Sequence, residues 1–459
     1  MAKIEDLRQT LFLFIKDLRR KLFLLFLITF VSIFTFIVSS PRNRSILKPH
    51  RTIYPSHFSN QTITPLNNTK HLLVSAFMDQ RVKGFDIRII GLFRRDSIQP
   101  LHCRFCCEGR FLSITTPANI LQHSDNFGFP FVTTDAMCPI PENCYATHVT
   151  LLTQPESGIA ESGMAPKQIW LPIRNRKTNV DEEEKLQFNF TVCLSNLFGD
   201  YNNVLQFAQT LEMYRLLGVD RVVIYNTSCG PELNRLLQIY SQDGFLEIVQ
   251  WPIHQHLNPS KGWLFSEHGG DVHYFGQLTT LNECIYRSMG RSRYVLLNDI
   301  DEIIMPYQHD DLMSLMNMLE GQHPNTGAFL IQNHIFSNKH FEPSGRFHLP
   351  RWNGLPGVNI LEHIYKETLM TDGYHPHKLI VQPRLVEQTS VHEVIKQMGK
   401  NFKVPQEICR IIHICKIPRV LTLEQLTVDN RLWDFHRKLV PNVDKALKRA
   451  GLLNSKGHG

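Results

Sequence analysis

Tyr294-Val295-Leu296-Leu297-Asn298-Asp299-Ile300-Asp301-Glu302-Ile303-Ile304 runs apolar, breaks into three acids within four residues, and turns apolar again. The segment Tyr294 to Leu297 has the composition of a strand buried on both faces, as strands of parallel sheets are. Open parallel sheets bind ligands outside the carboxyl ends of their strands, so Asp299 and Asp301 are the first place to look for chemistry. Side chains at i and i+2 lie on one side of an extended chain, and the spacing therefore predicts that the two carboxylates converge while Ile300 turns into packing. Paired carboxylates make an oxygen-rich site for a hard divalent cation, Mn2+ or Mg2+. Elsewhere an Asp-x-Asp is commonly a helix cap or a solvated turn; its place at the end of an apolar strand favours a metal here.

Upstream, strands and helices alternate. Phe188 to Ser195 has strand composition, and Asn203 to Leu217 sets Leu205, Ala208, Leu211 and Leu216 near helical spacing before Gly218. Arg221 to Tyr225 is a second strand, and the helix opened by Pro231 carries Leu233, Leu236, Leu237 and Tyr240 before Gly244. Phe245 to Trp251 is a third strand, and a helix around Phe275 to Met289 closes at Gly290 and leads into the fourth. Crossovers of helix length join parallel neighbours, so residues 186–435 are predicted as an α/β domain with a mainly parallel, doubly wound sheet, followed by a C-terminal tail over 436–459.

Further toward the N-terminus the character changes. Leu22 to Ser40 carries no charge, and at about 1.5 Å per residue it spans roughly 28 Å, the hydrocarbon thickness of an early secretory membrane. Lys16, Arg19, Arg20 and Lys21 precede it and stay cytosolic, which makes 1–21 a cytoplasmic tail, 22–40 a signal anchor and the remainder lumenal. The long leading segment and Pro41 argue against a cleaved signal peptide. Residues 41–70, rich in Pro, Ser, Asn and Thr, read as a stalk with sequons at Asn60 and Asn67; those at Asn189 and Asn226 fall in or beside strands and are expected to be less accessible. Residues 71–185 read as a small β-rich module, ending at the acidic linker Asp181 to Glu184. It holds Cys103, Cys106, Cys107, Cys138 and Cys144; in an oxidising lumen these are expected as disulfides rather than a zinc site, and the even total of 10 cysteines allows complete pairing.

Charge says little about the substrate. The first 21 residues hold six Lys/Arg against three Asp/Glu, which is +3 of the net +7 and leaves +4 for the rest. Basic stripes interleaved with aromatics are absent, as are zinc-finger and RNA-recognition signatures, so no nucleic-acid partner is expected.

At a set of ordered motifs a family likeness becomes specific. They are Val192-Cys193-Leu194-Ser195-Asn196-Leu197-Phe198, Tyr214-Arg215-Leu216-Leu217-Gly218-Val219, Gly276-Gln277, Asp299-Ile300-Asp301-Glu302 with Pro306, His375-Pro376-His377-Lys378, and Val391-His392-Glu393. Over residues 188 to about 430, half of the chain, the sequence resembles glycosyltransferase family 92. The resemblance implies a GT-A type fold and a Golgi transferase that uses a UDP-sugar and a metal, with β-galactosides as the product of characterised members. Two departures are His413-Ile414-Cys415-Lys416, where the family tends to show His-Tyr-Arg, and Asn282-Glu283-Cys284, where Asp-Cys is more usual.

Roles follow as expectations. Asp299 and Asp301 hold the metal, joined by His392 from the shared downstream motif, with His413 as second choice. Lys378 is a candidate for the diphosphate, Leu194, Ser195 and Asn196 for the nucleotide by analogy of fold, and Glu302 for orienting the metal site. A β-galactoside made from an α-linked donor requires inversion and a base on the opposite face; Asp372 and Glu393 are the candidates. The absence of a C-terminal retention signal in Lys456-Gly457-His458-Gly459 points to the Golgi rather than the endoplasmic reticulum. The competing functions are a lumenal metal-dependent hydrolase, which calls for more ligands spaced for two metals, and a glycan-binding protein of the same fold.

Overall fold

The computed structural model describes residue 21 and residues 61–108, 110–154, 169–176, 186–368, 375–416 and 421–453. The segment expected to span a membrane, most of the stalk, the acidic linker and Asp372 lie outside those residues. Among the described residues no helix is long and apolar enough to cross a membrane.

Among the described residues, nine strands build the N-terminal half: β1 (Thr64–Pro65), β2 (Leu72–Met78), β3 (Ile87–Arg94), β4 (His102–Cys107), β5 (Arg110–Pro117), β6 (Asn119–Gln122), β7 (Phe131–Cys138), β8 (Ala146–Leu152) and β9 (Leu171–Pro172). They form one sheet in the order β1-β2-β3-β7-β6 and a second in the order β5-β4-β8-β9. Disulfides Cys103–Cys138 and Cys107–Cys144 join the two sheets' strands and loops, which agrees with disulfides over zinc. Pairing is not complete, because Cys106, Cys229, Cys409 and Cys415 are free.

The second half begins as the apolar pattern predicts. Strands β10 (Phe188–Leu197), β11 (Arg221–Asn226), β12 (Leu246–Gln250) and β13 (Ser292–Asn298) are parallel in the order β12-β11-β10-β13. Helices α1 (Val204–Leu216) and α2 (Pro231–Gln242) pack on one face, and α3 (Gln277–Met289) on the other, so helices do cover both sides. A third disulfide, Cys193–Cys284, ties β10 to α3 beneath the strand ends.

The sheet as a whole is mixed rather than mainly parallel. Beyond β13 come β14 (Glu302–Pro306), helix α4 (Leu312–Gln322), β15 (Thr326–Ser337), β16 (Tyr365–Glu367), β17 (His377–Val381), the hairpin β18 (Val386–Thr389) with β19 (Val394–Gln397), β20 (Lys400–Lys403), β21 (Cys409–Cys415) and β22 (Leu426–Val428). Strand β17 runs antiparallel between β13 and β15, and β14 runs antiparallel to β21. These antiparallel neighbours are strands far apart in the chain, so the rule that a helical crossover joins parallel strands, which holds from β10 to β13, does not reach them.

Two boundaries also move. Ile63, Thr64 and Leu66 are buried and β1 pairs with β2, so the folded body starts within the stretch read as stalk. The expected tail forms helix α5 (His436–Arg449), whose Leu439, Val443, Ala446 and Leu447 recur near helical spacing and enter the core beside α1. Nor is the β-rich half a separate body. The described residues from 61 onward form one compact unit, sewn together by buried bonds such as Ser75 Oγ to Glu283 Oε1 at 2.8 Å and Thr133 Oγ1 with Thr279 Oγ1 at 2.8 Å.

Candidate active site

The acids Asp299 and Asp301 occupy a turn between β13 and β14, not the strand itself, because β13 ends at Asn298. Buried groups brace that turn. The phenol of Tyr214, from α1, donates to Glu302 O at 3.2 Å and accepts from Ile304 N–H at 3.2 Å and from Asn298 Nδ2 at 2.8 Å. The Glu302 side chain, turned inward, accepts the Asp299 backbone N–H at 2.9 Å. These bonds replace the strand ladder that the turn interrupts.

Each carboxylate of the pair has its own partner. Asp299 Oδ2 meets Lys378 Nζ at 2.7 Å, while Oδ1 accepts from Ser195 Oγ and Gln277 Nε2, both at 3.0 Å. Burial opposes ionisation of Asp299, but the Lys378 ammonium and those donors hold its pKa below the usual carboxylate value. Lys378 also lies 3.4 Å from Glu302 Oε2. Glu302 is raised above its usual value, first by burial and then by its acidic neighbours. Asp301 Oδ2 faces His413 Nε2 at 3.3 Å, and His413 Nδ1 lies 3.1 Å from the Asn333 amide and 3.6 Å from Glu302 Oε1. Burial alone would lower the His413 pKa; Asp301 and Glu302 override it and raise it well above the ordinary value.

The predicted site residues are thus partly gathered. Asp299, Ser195 and Lys378 meet at the carboxyl ends of β10 and β13 and the start of β17, while Asp301 faces His413 instead. Leu194 does not join them: its side chain is fully buried in the core, so only its backbone faces the strand end. Asn196 turns its amide to the carbonyl of Phe275, donating from Nδ2 at 2.6 Å, and acts as a brace for that loop. Lys378 is spent on carboxylates rather than held open for an anion. His392 is not in contact with the acidic pair; its Nδ1 bonds to the His377 carbonyl at 3.0 Å and its ring stacks on Trp263. The imidazole beside Asp301 is His413, the second choice. Glu393 is exposed on the wall of a nearby cavity.

Among the described residues no three His, Cys, Asp or Glu side chains stand as a formed metal cluster. The donor chemistry at the turn, two carboxylates with an imidazole, nonetheless fits Mn2+ or Mg2+ better than a softer ion. Gln277 and Tyr214 are contributors that motif reading did not assign; both stand inside matched motifs, Gly276-Gln277 and Tyr214-Arg215, which was the available signal.

Braced carboxylates at the ends of parallel strands in an α/β sheet stand where sheets of this kind bind their ligands. The chain belongs to glycosyltransferase family 92, whose family model matches residues 188–448. Among curated proteins it is similar to the β-1,4-galactosyltransferase galt-1 of Caenorhabditis elegans, 22% identical over 338 residues, 72% of this chain and 69% of that one. A second Caenorhabditis elegans protein of family 92 is 22% identical over 232 residues, 49% of this chain and 41% of its own. Solved structures include the mannosyltransferase PcManGT from Pyrobaculum calidifontis in complex with GDP-Man and Mn2+, with a TM-score of 0.27, 11% identity, and coverage of 61% of this chain and 80% of that one. Glucosyl-3-phosphoglycerate synthase from Mycobacterium tuberculosis gives a TM-score of 0.24 at 10% identity, covering 58% of this chain and 82% of its own. Likeness that slight adds nothing to the assignment, which rests on the family.

Proposed function

We propose that this glycosyltransferase moves galactose from UDP-galactose to a glycan acceptor with inversion, in the Golgi lumen, anchored through residues 22–40. The observation that carries the reading is the acidic turn Asp299-Ile300-Asp301 at the end of β13, pinned by Tyr214 and Glu302. Asp299 and Asp301, with the His413 imidazole in its neutral form, would hold a Mn2+ or Mg2+, which would supply positive charge against the departing UDP. The protein's own part is preorganisation. Ser195, Gln277 and Lys378 fix the Asp299 carboxylate in its ionised form, so no reorientation is needed when charge develops. Backbone groups at Leu194 to Asn196 stand where a nucleotide lies in a sheet of this kind. Glu393 is the described carboxylate placed to take a proton from an acceptor hydroxyl. Galactose as the sugar is favoured by the galt-1 similarity, and the Golgi lumen by the basic-flanked apolar segment.

The test is to incubate the full-length chain with UDP-galactose, Mn2+ and a panel of glycans, and to follow UDP. Acceptor-dependent release, abolished by EDTA and restored by Mn2+, is the expected result, with a β-linked product by NMR. Release that ignores the acceptor would mean a hydrolase, and none with any UDP-sugar would mean a glycan-binding protein. Location is checked separately: the tagged chain should coincide with Golgi markers, and a cytosolic distribution rejects that part.

A further inference from the structure

The loop between β12 and α3 carries aromatic groups that the acidic turn does not use. Trp263 and Phe265 both keep open surface, 37% and 43%, and of the two it is Trp263 whose ring reaches Tyr274 and His392. It is nevertheless fixed: its ring stacks on the His392 imidazole at 5.6 Å and meets Phe127, His273 and Tyr274 at 5.4, 5.0 and 5.9 Å between centroids. Ordering a large amphipathic ring in this way removes the entropy that a ligand would otherwise have to overcome.

The same loop is strained beside the acids. Tyr274 and Phe275 hold φ of 38° and 57°, a left-handed conformation costing non-glycine residues about 1–3 kcal/mol each. Packing enforces it, since Phe275 O accepts from both Asn196 Nδ2 at 2.6 Å and Trp251 Nε1 at 2.8 Å, and the Phe275 ring stacks on Phe198 at 4.1 Å. The strain places Tyr274 within electrostatic reach of Asp299 and Asp301, which add to burial in raising its phenol pKa. One aromatic wall therefore runs from the acidic turn through Tyr274 and Trp263 to His392.

Beyond His392 lies a cavity of about 530 Å³ lined in part by Gln332, His375, His377, His392, Glu393 and Lys403. Its chemistry suits hydroxyls rather than phosphates. Burial pushes the His377 imidazole down to about 4 and lowers His392 as well, so both are neutral at pH 7. The His377 carbonyl can only accept, so His392 carries its proton on Nδ1 and leaves Nε2 as an acceptor. A diphosphate would find the Lys403 ammonium offset by the Glu393 carboxylate.

We infer that Trp263, His392 and this cavity form the subsite for the acceptor, in which a pyranose packs its C–H face against the indole while its hydroxyls bond to the imidazoles of His377 and His392. The inference rests on the proposed transferase reading but is tested apart from it. Full-length Trp263→Ala and Trp263→Phe are compared with the unaltered chain in two assays: transfer from UDP-galactose to the glycan it uses, and donor-free binding to an array of hexose- and N-acetylhexosamine-terminated oligosaccharides. The alanine variant should raise the acceptor KM and weaken array binding about tenfold, with the UDP-galactose KM within about twofold, and the phenylalanine variant should lose about threefold. Array binding reports on the subsite even if the donor proves to be a different UDP-sugar. A donor KM rising in step would make Trp263 a nucleobase platform, a fall in kcat at unchanged acceptor KM would make it a positioning residue, and unchanged values would leave it inert; each overturns the inference. Trp263→Phe keeps an aromatic ring against Phe127 and His273, and carries the test if the alanine variant fails to accumulate.

Discussion

Two clusters of charge in this chain use the same ingredients and differ in access to water. In the first, Arg88 of β3 reaches Asp79 at 2.9 Å, Glu387 of β18 at 2.8 Å, and Asp135 of β7. Arg81 joins through Asp79 at 2.7 Å, His123 through Asp135 at 3.0 Å and Lys396 through Glu387 at 2.8 Å, so each carboxylate has a second basic partner, and the Arg88 side chain is 0% exposed. In the second, Asp299, Asp301 and Glu302 face Lys378 and the His413 imidazole, so the carboxylates outnumber the one fixed cation. The side chains of Asp299 and Asp301 remain 36% and 31% exposed. The sealed cluster, built on the fully buried Arg88 with every carboxylate paired, clamps the β-rich half onto the catalytic half. The open one keeps a surplus negative charge at the surface, which is what a cation site requires.

Removing Asp301 from the open cluster should change chemistry without changing stability. For Asp301→Asn, sugar transfer by the full-length chain should fall about a thousandfold in kcat/KM, while the melting temperature stays within about 2 °C. UDP release and a thermal melt check it, and transfer near the original rate would remove the acidic turn from the mechanism. Asp299→Asn should lose both activity and stability, since it strips the main partner from a buried ammonium.

Breaking the sealed cluster should do the reverse. Arg88→Met removes the cation shared by Asp79, Asp135 and Glu387, leaving Asp135 with His123 and Gln388 as its partners, and should cost about 3 kcal/mol of stability, read from denaturant midpoints. Molecules that remain folded should transfer sugar normally. A variant that melts like the original but turns over slowly would show that the clamp tunes the site.

How much of this contrast was readable beforehand depends on sequence separation. The four parallel strands and three of the helices were legible because each is a continuous apolar or amphipathic run with its own stop signal, such as Gly218, Gly244 and Gly290. The acidic turn was legible because it follows such a run. His413 was not singled out over His392 because its place depends on register: β21 pairs with β14 so that His413 stands opposite Glu302, next to Asp301. No local pattern encodes which residues of two strands more than 100 positions apart will face each other. The Arg88 cluster spans up to 299 positions and was equally hidden. Helix α5 is a different kind of miss, since the spacing of Leu439, Val443, Ala446 and Leu447 was there to be read.

The sealed cluster should also reveal itself in acid. Burial alone would raise the Asp135 pKa, but His123 and Arg88 lower it to about 2. A depressed folded-state pKa contributes stability that is complete above the unfolded value, near pH 4, and is lost as pH falls toward 2; one such group is worth about 2 kcal/mol. Urea midpoints between pH 6 and 2.5 should drop for the unaltered chain and drop less for Asp135→Asn, which begins less stable at neutral pH. Parallel curves would remove Asp135 from the acid response.

A third, exposed set of charges supplies the lower bound. Asp444 of α5 accepts from Arg351 Nε at 2.9 Å and from Trp352 Nε1 at 2.7 Å. Arg351 is 44% exposed, so its ion pair is screened and contributes little, whereas the Trp352 indole is buried and its N–H loses its acceptor if Asp444 is removed. Asp444→Ala should therefore cost about 1 kcal/mol, Asp444→Asn less, because an amide oxygen still accepts from the indole. Neither should alter sugar transfer. A loss above about 3 kcal/mol would place Asp444 with the sealed cluster, and would mean that α5 is held by this polar contact more than by the apolar side chains it buries beside α1.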